Sequence, residues 1–502
     1  MSPSRSIIGE RAAVASQQPI ASKVGCEILR SGGNAFDAAV ATSYALAVTL
    51  HPAGGLGGDF FGMLYDAKTG KVRCLNASGW SPSCLTLDQM LSRNGGRIPT
   101  TGPFSCVIPG YVAGVSEIHR ELGTREFKEL LAPSLELSRR GFPAGAGLCA
   151  STAEAYQGLS KEAQEIFAPT GKPPQPGEPI KQPALGRVIS EISEHGAPGF
   201  YAGWPAESIT SFLGSLGVAW DLRDMADFKP EWVTPLKLDY RGTAVYEVPP
   251  SSMGATSLLI LKLLATEGPL PSDPLSKERI LRTMEAALSA YARRDQMLGD
   301  PRFSEIDIDA FLSPSGSPTR QQSRIRGGDT TAFSIVDAEG NMVAGIQSLF
   351  QHFGSRIFVP GCGVVLNSRA SGFSTSGPNR VEPHKRPLHT LSSMILERNG
   401  SPYLSIGCSG GEHRPLQHAL FVTNSVDYSM TAEENVAHPR FLWGGERTLI
   451  VEEGFELPPS GVFDVQRLSL PGKTGICQAV EVSGSRRIGV CDVRGDGVPA
   501  GF

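Results

Sequence analysis

Gly327-Gly-Asp-Thr-Thr-Ala-Phe-Ser-Ile-Val-Asp337 is the stretch on which the reading of this chain turns. Taken alone it is a turn followed by a strand whose first two positions are threonines, which are good strand formers. A short motif of this kind is explained by ordinary structure unless other segments support it. Immediately before it, residues 313–328 mix Ser, Pro, Arg and Gly, a composition that predicts no regular structure. From Thr330 onward the texture becomes short β-like runs: Thr331 to Val336, Met342 to Ser348, Arg356 to Pro360, Gly363 to Leu366, Leu391 to Leu396 and Tyr403 to Ile406. Two helices are expected after them, from Pro415 to Tyr428 and from the capping-box spacing Thr431-Ala-Glu-Glu434.

Upstream, residues 19 to 31 read as an amphipathic helix stopped by Gly32-Gly33, and Asn34 as the N-cap of an Ala-rich helix reaching Leu50. The Gly-rich run from His51 to Asp59 then leads into a hairpin, with strands at Phe60 to Tyr65 and Val72 to Leu75. Ala168 to Ala184, with six prolines, predicts a loop. Layered sheets flanked by helices fit this order.

Composition bounds the partners. The 502 residues are 40% hydrophobic and 19% charged, with Lys+Arg 46 against Asp+Glu 50 and a net charge of −4. That balance gives no field to steer nucleic acid or an anionic membrane surface, so a small-molecule substrate is expected, with no nucleic acid and no membrane. The N-terminus lacks the apolar core of a secretory signal, which makes a cytoplasmic location the working expectation. The nine cysteines are scattered, without metal-ligand spacing, and predict neither a disulfide framework nor a metal site; no cofactor is expected.

Across the chain, further segments resemble the signatures of the γ-glutamyltranspeptidase family, and in that family's order. They are Gly32-Gly-Asn-Ala-Phe-Asp-Ala-Ala-Val-Ala41, Gly55-Leu-Gly-Gly-Asp-Phe60, Ile108-Pro-Gly-Tyr-Val-Ala-Gly114, Thr330-Thr-Ala-Phe-Ser-Ile-Val-Asp-Ala-Glu-Gly-Asn341, Phe353-Gly-Ser, Lys385-Arg-Pro-Leu, Gly407-Cys-Ser-Gly-Gly411 and His438-Pro-Arg-Phe441. The resemblance implies an α+β fold, the αββα four-layer sandwich of N-terminal-nucleophile (Ntn) hydrolases, with two stacked antiparallel sheets between helical layers. It implies a precursor cut between Asp329 and Thr330 into a large fragment, 1–329, and a small one, 330–502, which stay associated in one shared globular domain. Whether two processed units pair is left open. Thr330 is then the nucleophile. A threonine hydroxyl needs a base within hydrogen-bonding reach, and its own freed α-amine, with an ordinary pKa of roughly 7.7–8.0, can serve. The resemblance also gives Thr331 as the nucleophile's follower, Ser348 as a hydroxyl bonding the nucleophile, and the amides of Gly410 and Gly411 as the oxyanion hole.

The departures bear on the substrate. Where the family holds a glutamyl α-carboxylate with an arginine, this chain reads Ser78-Gly-Trp-Ser-Pro82; where it holds the α-amine with an acidic residue, Gly372 stands. The family's asparagine after the second strand is Phe350, and its serine pair is His389-Thr390. Without those ionic anchors, each worth roughly 1.5–3 kcal/mol, ordinary glutathione should be a poor substrate. The replacements are similar to those of the oxamate amidohydrolase branch. By that resemblance Arg369 binds a carboxylate or α-keto-acid group, with His389, Thr390, Phe350 and Ser78 as substrate contacts. Members of antibiotic pathways that hydrolyse a carbon–carbon bond beside an oxalyl-type carbonyl offer an alternative on the same site, and a true γ-glutamyl hydrolase or transferase another. Two rivals of other kinds are a Ser409, Asp427, His438 triad on the G-x-S-x-G pattern of Gly407 to Gly411, and a non-catalytic relative.

Overall fold

The stop at Gly32-Gly33 and the start at Asn34 are realised as the helices Pro19–Arg30 and Ala35–Thr49 in a computed structural model that describes residues 5–314 and 328–502. The Asn34 side chain accepts the amides of Phe36 and Asp37, while the Asp37 carboxylate accepts the Asn34 amide at 3.0 Å, a reciprocal cap. Asp337, at the far end of the Thr330 strand, accepts the Ala35 amide at 2.8 Å. Two motifs some 300 residues apart in sequence are thereby clamped together. Of the loop expected over 313–328, residues 315–327 lie outside the described residues.

Two seven-stranded sheets carry the fold. The first runs in the order Ala500–Gly501, Ala13–Ser16, Asp329–Val336, Met342–Phe350, Asp59–Asp66, Lys71–Ala77, Glu231–Val233. The second runs Arg5–Gly9, Arg486–Cys491, Cys477–Ser483, Ser401–Cys408, Met394–Arg398, Thr243–Glu247, Leu236–Tyr240. Every pairing within both is antiparallel. Period-2 alternation sends Phe333 and Ile335 into an apolar cluster with the helices Pro19–Arg30, Ala35–Thr49, Tyr111–Leu122 and Phe127–Arg140. It sends Ala332 and Val336 the other way, into a cluster with Ile395, Leu391 and Val480 of the second sheet and its flanks. The second sheet's other face packs on the helices Gly254–Thr266, Lys277–Met297 and Arg414–Val426. The Thr330 strand is buried on both faces.

Expected strands at Arg356 to Pro360 and Gly363 to Leu366 contract to the two-residue pair Phe358–Val359 and Val364–Val365. That at Leu391 to Leu396 shifts to Met394–Arg398, because His389, Leu391 and Ser252 spend their backbone groups on a loop crossing first. No described helix is long and apolar enough to cross a membrane. All nine cysteines are free thiols.

Burial holds four imidazoles neutral: His51, His389 and His438 are pushed down to about 3, and His413 to about 4. An unfolded chain takes up those protons near pH 6.5, so the stability that each contributes is complete above that pH and is lost as pH falls toward 3–4. His418, beside Glu247, is raised to about 9 and has the opposite sign: its contribution is complete below pH 6.5 and fades as pH rises through 9. Urea unfolding at pH 7, 6 and 5 should therefore show falling stability, with each neutral histidine contributing at most about 1.4 kcal/mol per pH unit. A flat profile over that range would mean that these rings are charged inside.

Candidate active site

Thr330 opens its strand at a register shift: Asp329 faces Phe350, yet Thr331 faces Gln347. Such an irregularity re-aims a side chain at a sheet's end. The Thr330 hydroxyl, almost wholly enclosed, donates to the Asp329 carbonyl oxygen at 2.7 Å and lies 3.4 Å from Ser348 Oγ. Ser348 Oγ donates to the same carbonyl oxygen at 2.7 Å and accepts the Phe350 amide at 2.7 Å. The carbonyl next to Thr330 is thus polarised by two hydroxyls. The Asp329 carboxylate accepts the Thr330 amide at 2.9 Å and lies 2.7 Å from His352 Nδ1, off the line of a good hydrogen bond. Burial opposes charge on His352, but the Asp329 carboxylate outweighs it and raises the imidazole's pKa. Thr331 is buried, and its hydroxyl has no partner among the described residues.

The second sheet supplies the other wall. Ala332 packs beside Gly407, and Ser405 Oγ donates to Ser334 Oγ at 3.2 Å, so the end of Ser401–Cys408 lies opposite Thr330. There the chain turns through Gly410 at φ 140° and Gly411 at φ 58°, a pair of conformations that side chains disfavour. A Cβ placed on Gly328 would come within 3.3 Å of the Gly411 Cα. The glycine turn therefore sits against the chain that carries Asp329 and Thr330, and among the described residues neither glycine amide donates to another backbone group.

Arg369, expected to bind a carboxylate or α-keto-acid group, already holds partners within the protein. Its side chain is fully buried; Nε donates to Asp59 Oδ2 at 3.1 Å and Nη1 to Thr390 Oγ1 at 3.0 Å, while Nη2 finds no acceptor. His389 Nε2 donates to the same Asp59 oxygen at 3.0 Å, its Nδ1 accepting the Leu391 amide, and Gly79 N–H donates to Asp59 Oδ1 at 2.7 Å. Burial works against the Asp59 charge, but His389 and Arg369 more than offset it and hold the carboxyl below its ordinary range. With both ring nitrogens committed, His389 braces Asp59 and has no donor left for a ligand. Ser78 is likewise occupied, donating to Asn76 Oδ1 at 2.7 Å. Phe350, at φ 81°, lays its ring 4.4 Å from Arg369 Cζ. Positive φ at a bulky residue stores strain, which collects at functional sites. Phe350 joins the two halves, bonding Ser348 through its amide and Arg369 through its ring.

Residues 21–502 match the family model described as Gamma-glutamyltranspeptidase. The chain belongs to the γ-glutamyltranspeptidase family. Among the relatives of this transpeptidase-family chain, the "Glutathione hydrolase-like YwrD proenzyme" of Bacillus subtilis is 34% identical over 455 residues, covering 88% of this chain and 86% of its own. The "Oxamate amidohydrolase proenzyme" of Klebsiella pneumoniae is 29% identical, covering 85% of this chain and 84% of its own. The crystal structure of cephalosporin acylase from Bacillus halodurans superposes with a TM-score of 0.91 at 26% identity, covering 100% of this chain and 98% of its own.

In this transpeptidase-family chain the Ser409 triad does not assemble. Ser409 Oγ accepts the Ile476 amide at 2.8 Å, Asp427 bonds Tyr240 and Arg241, and His438 Nε2 lies 3.4 Å from Arg279. The strand before Ser409 is paired antiparallel on both sides, unlike the parallel sheet that supports a nucleophile elbow. A cleft of about 550 Å³ bordered by His119, Phe127 and Tyr201 includes none of the residues around Thr330. Sequence reading did not single out Asp59, His352 or Arg414. The aspartate closing a Gly-rich turn was the available signal for Asp59.

Proposed function

We propose that this chain is a self-processing N-terminal-threonine hydrolase of the Ntn type, cut into 1–329 and 330–502, that cleaves a small amide or oxalyl-type substrate through an acyl-enzyme on Thr330. The observation that carries the reading is the Asp329 carbonyl oxygen bracketed by the Thr330 and Ser348 hydroxyls, with the Gly410-Gly411 turn alongside. The helix-flanked pair of sheets is read as the four-layer Ntn sandwich, and the word "proenzyme" in the relatives' names supports a precursor.

In the uncut chain Thr330 Oγ attacks the Asp329 carbonyl carbon. Ser348 bonds the oxygen that gains charge, and the C–N bond breaks as the hydroxyl proton passes to the Thr330 nitrogen, leaving a free amine and the Asp329 acyl group esterified to Oγ. Water then resolves the ester, releasing the Asp329 carboxylate. In the mature enzyme that amine takes the hydroxyl proton as Oγ attacks the substrate's acyl carbon, and the Gly410 and Gly411 amides face the developing oxyanion. The proton passes to the leaving group, and a water repeats the sequence to release the acid.

The substrate argument rests on Ser78 and Gly372 standing where a glutamyl group would need its ionic anchors, and on Arg369 with Nη2 free at the site's edge. The carbon–carbon alternative gains no support from the three relatives described above, named as a hydrolase, an amidohydrolase and an acylase. Purified processed protein assayed with γ-glutamyl anilide and oxamate should favour oxamate in kcat/KM by a factor of ten or more, since lost charged hydrogen bonds cost about 1.5–3 kcal/mol each. Faster turnover of the anilide would refute the substrate class and leave the nucleophile standing.

A further inference from the structure

Arg414 opens the helix Arg414–Val426, three positions after Gly411, and its side chain is enclosed. Nε donates to the Cys408 carbonyl at 2.8 Å, which folds the guanidinium back under the Cys408 to Gly411 turn; Nη1 and Nη2 have no acceptor among the described residues. Arg369, also enclosed, has Nη2 without an acceptor. Together they keep three buried cationic nitrogens unbonded, although buried donors are otherwise almost always satisfied and costly when they are not. The two guanidiniums flank the same stretch of chain: a Cβ on Gly328 would meet the Phe350 ring, which lies on Arg369, at 3.4 Å and the Gly411 Cα, in the turn that Arg414 underlies, at 3.3 Å, and the charge of Arg414 adds to the depression that burial imposes on Arg369.

The surrounding carboxylates are committed elsewhere. Asp59 serves Gly79, Arg369 and His389, and Glu247 serves Ser257, Ser392 and His418. Both arginines reach the nucleophile's surroundings by short links, Arg369 through the Phe350 ring and Arg414 through the Gly410-Gly411 turn.

We propose that Arg369 and Arg414 form a two-guanidinium anion site that receives the carboxylate of an α-keto, oxalyl-type acyl group held on Thr330. The proposal rests on the Thr330 reading and specifies its substrate. A carboxylate offers lone pairs to several donors at once and accepts well from guanidinium forks. The unbonded guanidinium nitrogens are cationic donors, so an acyl group that also carries an α-ammonium, as glutamyl does, meets repulsion from both arginines. An oxalyl-type group sets its carboxylate one bond from the acyl carbon, in keeping with a guanidinium tucked under the oxyanion turn itself.

Calorimetric titration of the processed enzyme with pyruvate and with methyl pyruvate, its neutral ester, tests the site. Pyruvate should bind and the ester should bind at least tenfold more weakly; Arg414→Gln should lower pyruvate affinity by about tenfold to a hundredfold, the worth of one charged hydrogen-bonding group. Arg414→Lys keeps the charge without the fork and should lose threefold or more. If Arg414→Gln fails to accumulate, the lysine variant decides, with wild-type affinity overturning the site. Ester binding as tight as acid, no pyruvate binding by the wild type, or an Arg414→Gln affinity within twofold of wild type each overturns it. The Thr330 reading is scored separately by fragments on a denaturing gel. An uncut, inactive protein that binds pyruvate through both arginines sinks that reading alone; a cut, active enzyme indifferent to Arg414 sinks the anion site alone.

Discussion

Thr330→Ala should leave the precursor as one uncut polypeptide of 502 residues and remove turnover, with losses on the order of 10⁴–10⁶ in kcat by comparison with other nucleophile deletions. On the proposed mechanism two roles disappear together, because the hydroxyl that opens the Asp329 carbonyl is also the one that attacks substrate, and the base exists only after the first event. The change removes a hydroxyl and a methyl at a strand end, so folding should survive: the Phe333, Ile335 and Val343 contacts that hold the strand are untouched. Mass spectrometry of the purified variant reads the outcome. Fragments ending at residue 329, or activity within tenfold of wild type, would place the chemistry on another residue.

Asp59→Asn should destabilise the protein by about 3–5 kcal/mol, the usual cost of leaving a buried charge without its partner. Asp59 is wholly enclosed and its carboxylate balances Arg369, while its two oxygens also receive Gly79 and His389. An amide removes the charge and turns an NH2 toward donors. The urea midpoint should fall at unchanged m-value. Adding Arg369→Met should restore part of the loss, since a pair removed together leaves no uncompensated charge. An Asp59→Asn variant within 1 kcal/mol of wild type would mean that the ion pair contributes nothing net.

Features whose causes are local were open to sequence reading. The Asn34 cap depends on Phe36 and Asp37, two and three residues on, and the Thr431 cap on Glu434, so both appear where the spacing puts them. The Thr330 strand needed only its own strand-forming residues. Arg369 was harder to place, because its partner Asp59 is 310 residues away and no local pattern joins them. A loop arginine flanked by Ser and Ala carries no sign of burial; the pairing exists only once Asp59–Asp66 and the 367–373 segment meet beside Phe350. For the same reason Arg414, just ahead of the helix expected from Pro415, drew no notice, and its unbonded nitrogens became visible only in three dimensions. The edge strand Arg5–Gly9 and its neighbour Arg486–Cys491 also went unread, since a short run with exposed residues looks like any surface segment until its partner is known.

Both sheets mix strands from either side of position 330: Asp329–Val336 lies between Ala13–Ser16 and Met342–Phe350, which in turn pairs with Asp59–Asp66, while Arg5–Gly9 zips onto Arg486–Cys491 and Thr243–Glu247 onto Met394–Arg398. The proposed scission at the head of so central a strand would sever connectivity that assembly has already used. The severed enzyme could then no longer find its way back from urea as a single chain does: two interleaved pieces would have to meet, at a rate set by their concentration. Heating or denaturing the mature form should thus be a one-way loss, while the uncut precursor keeps the ability to recover.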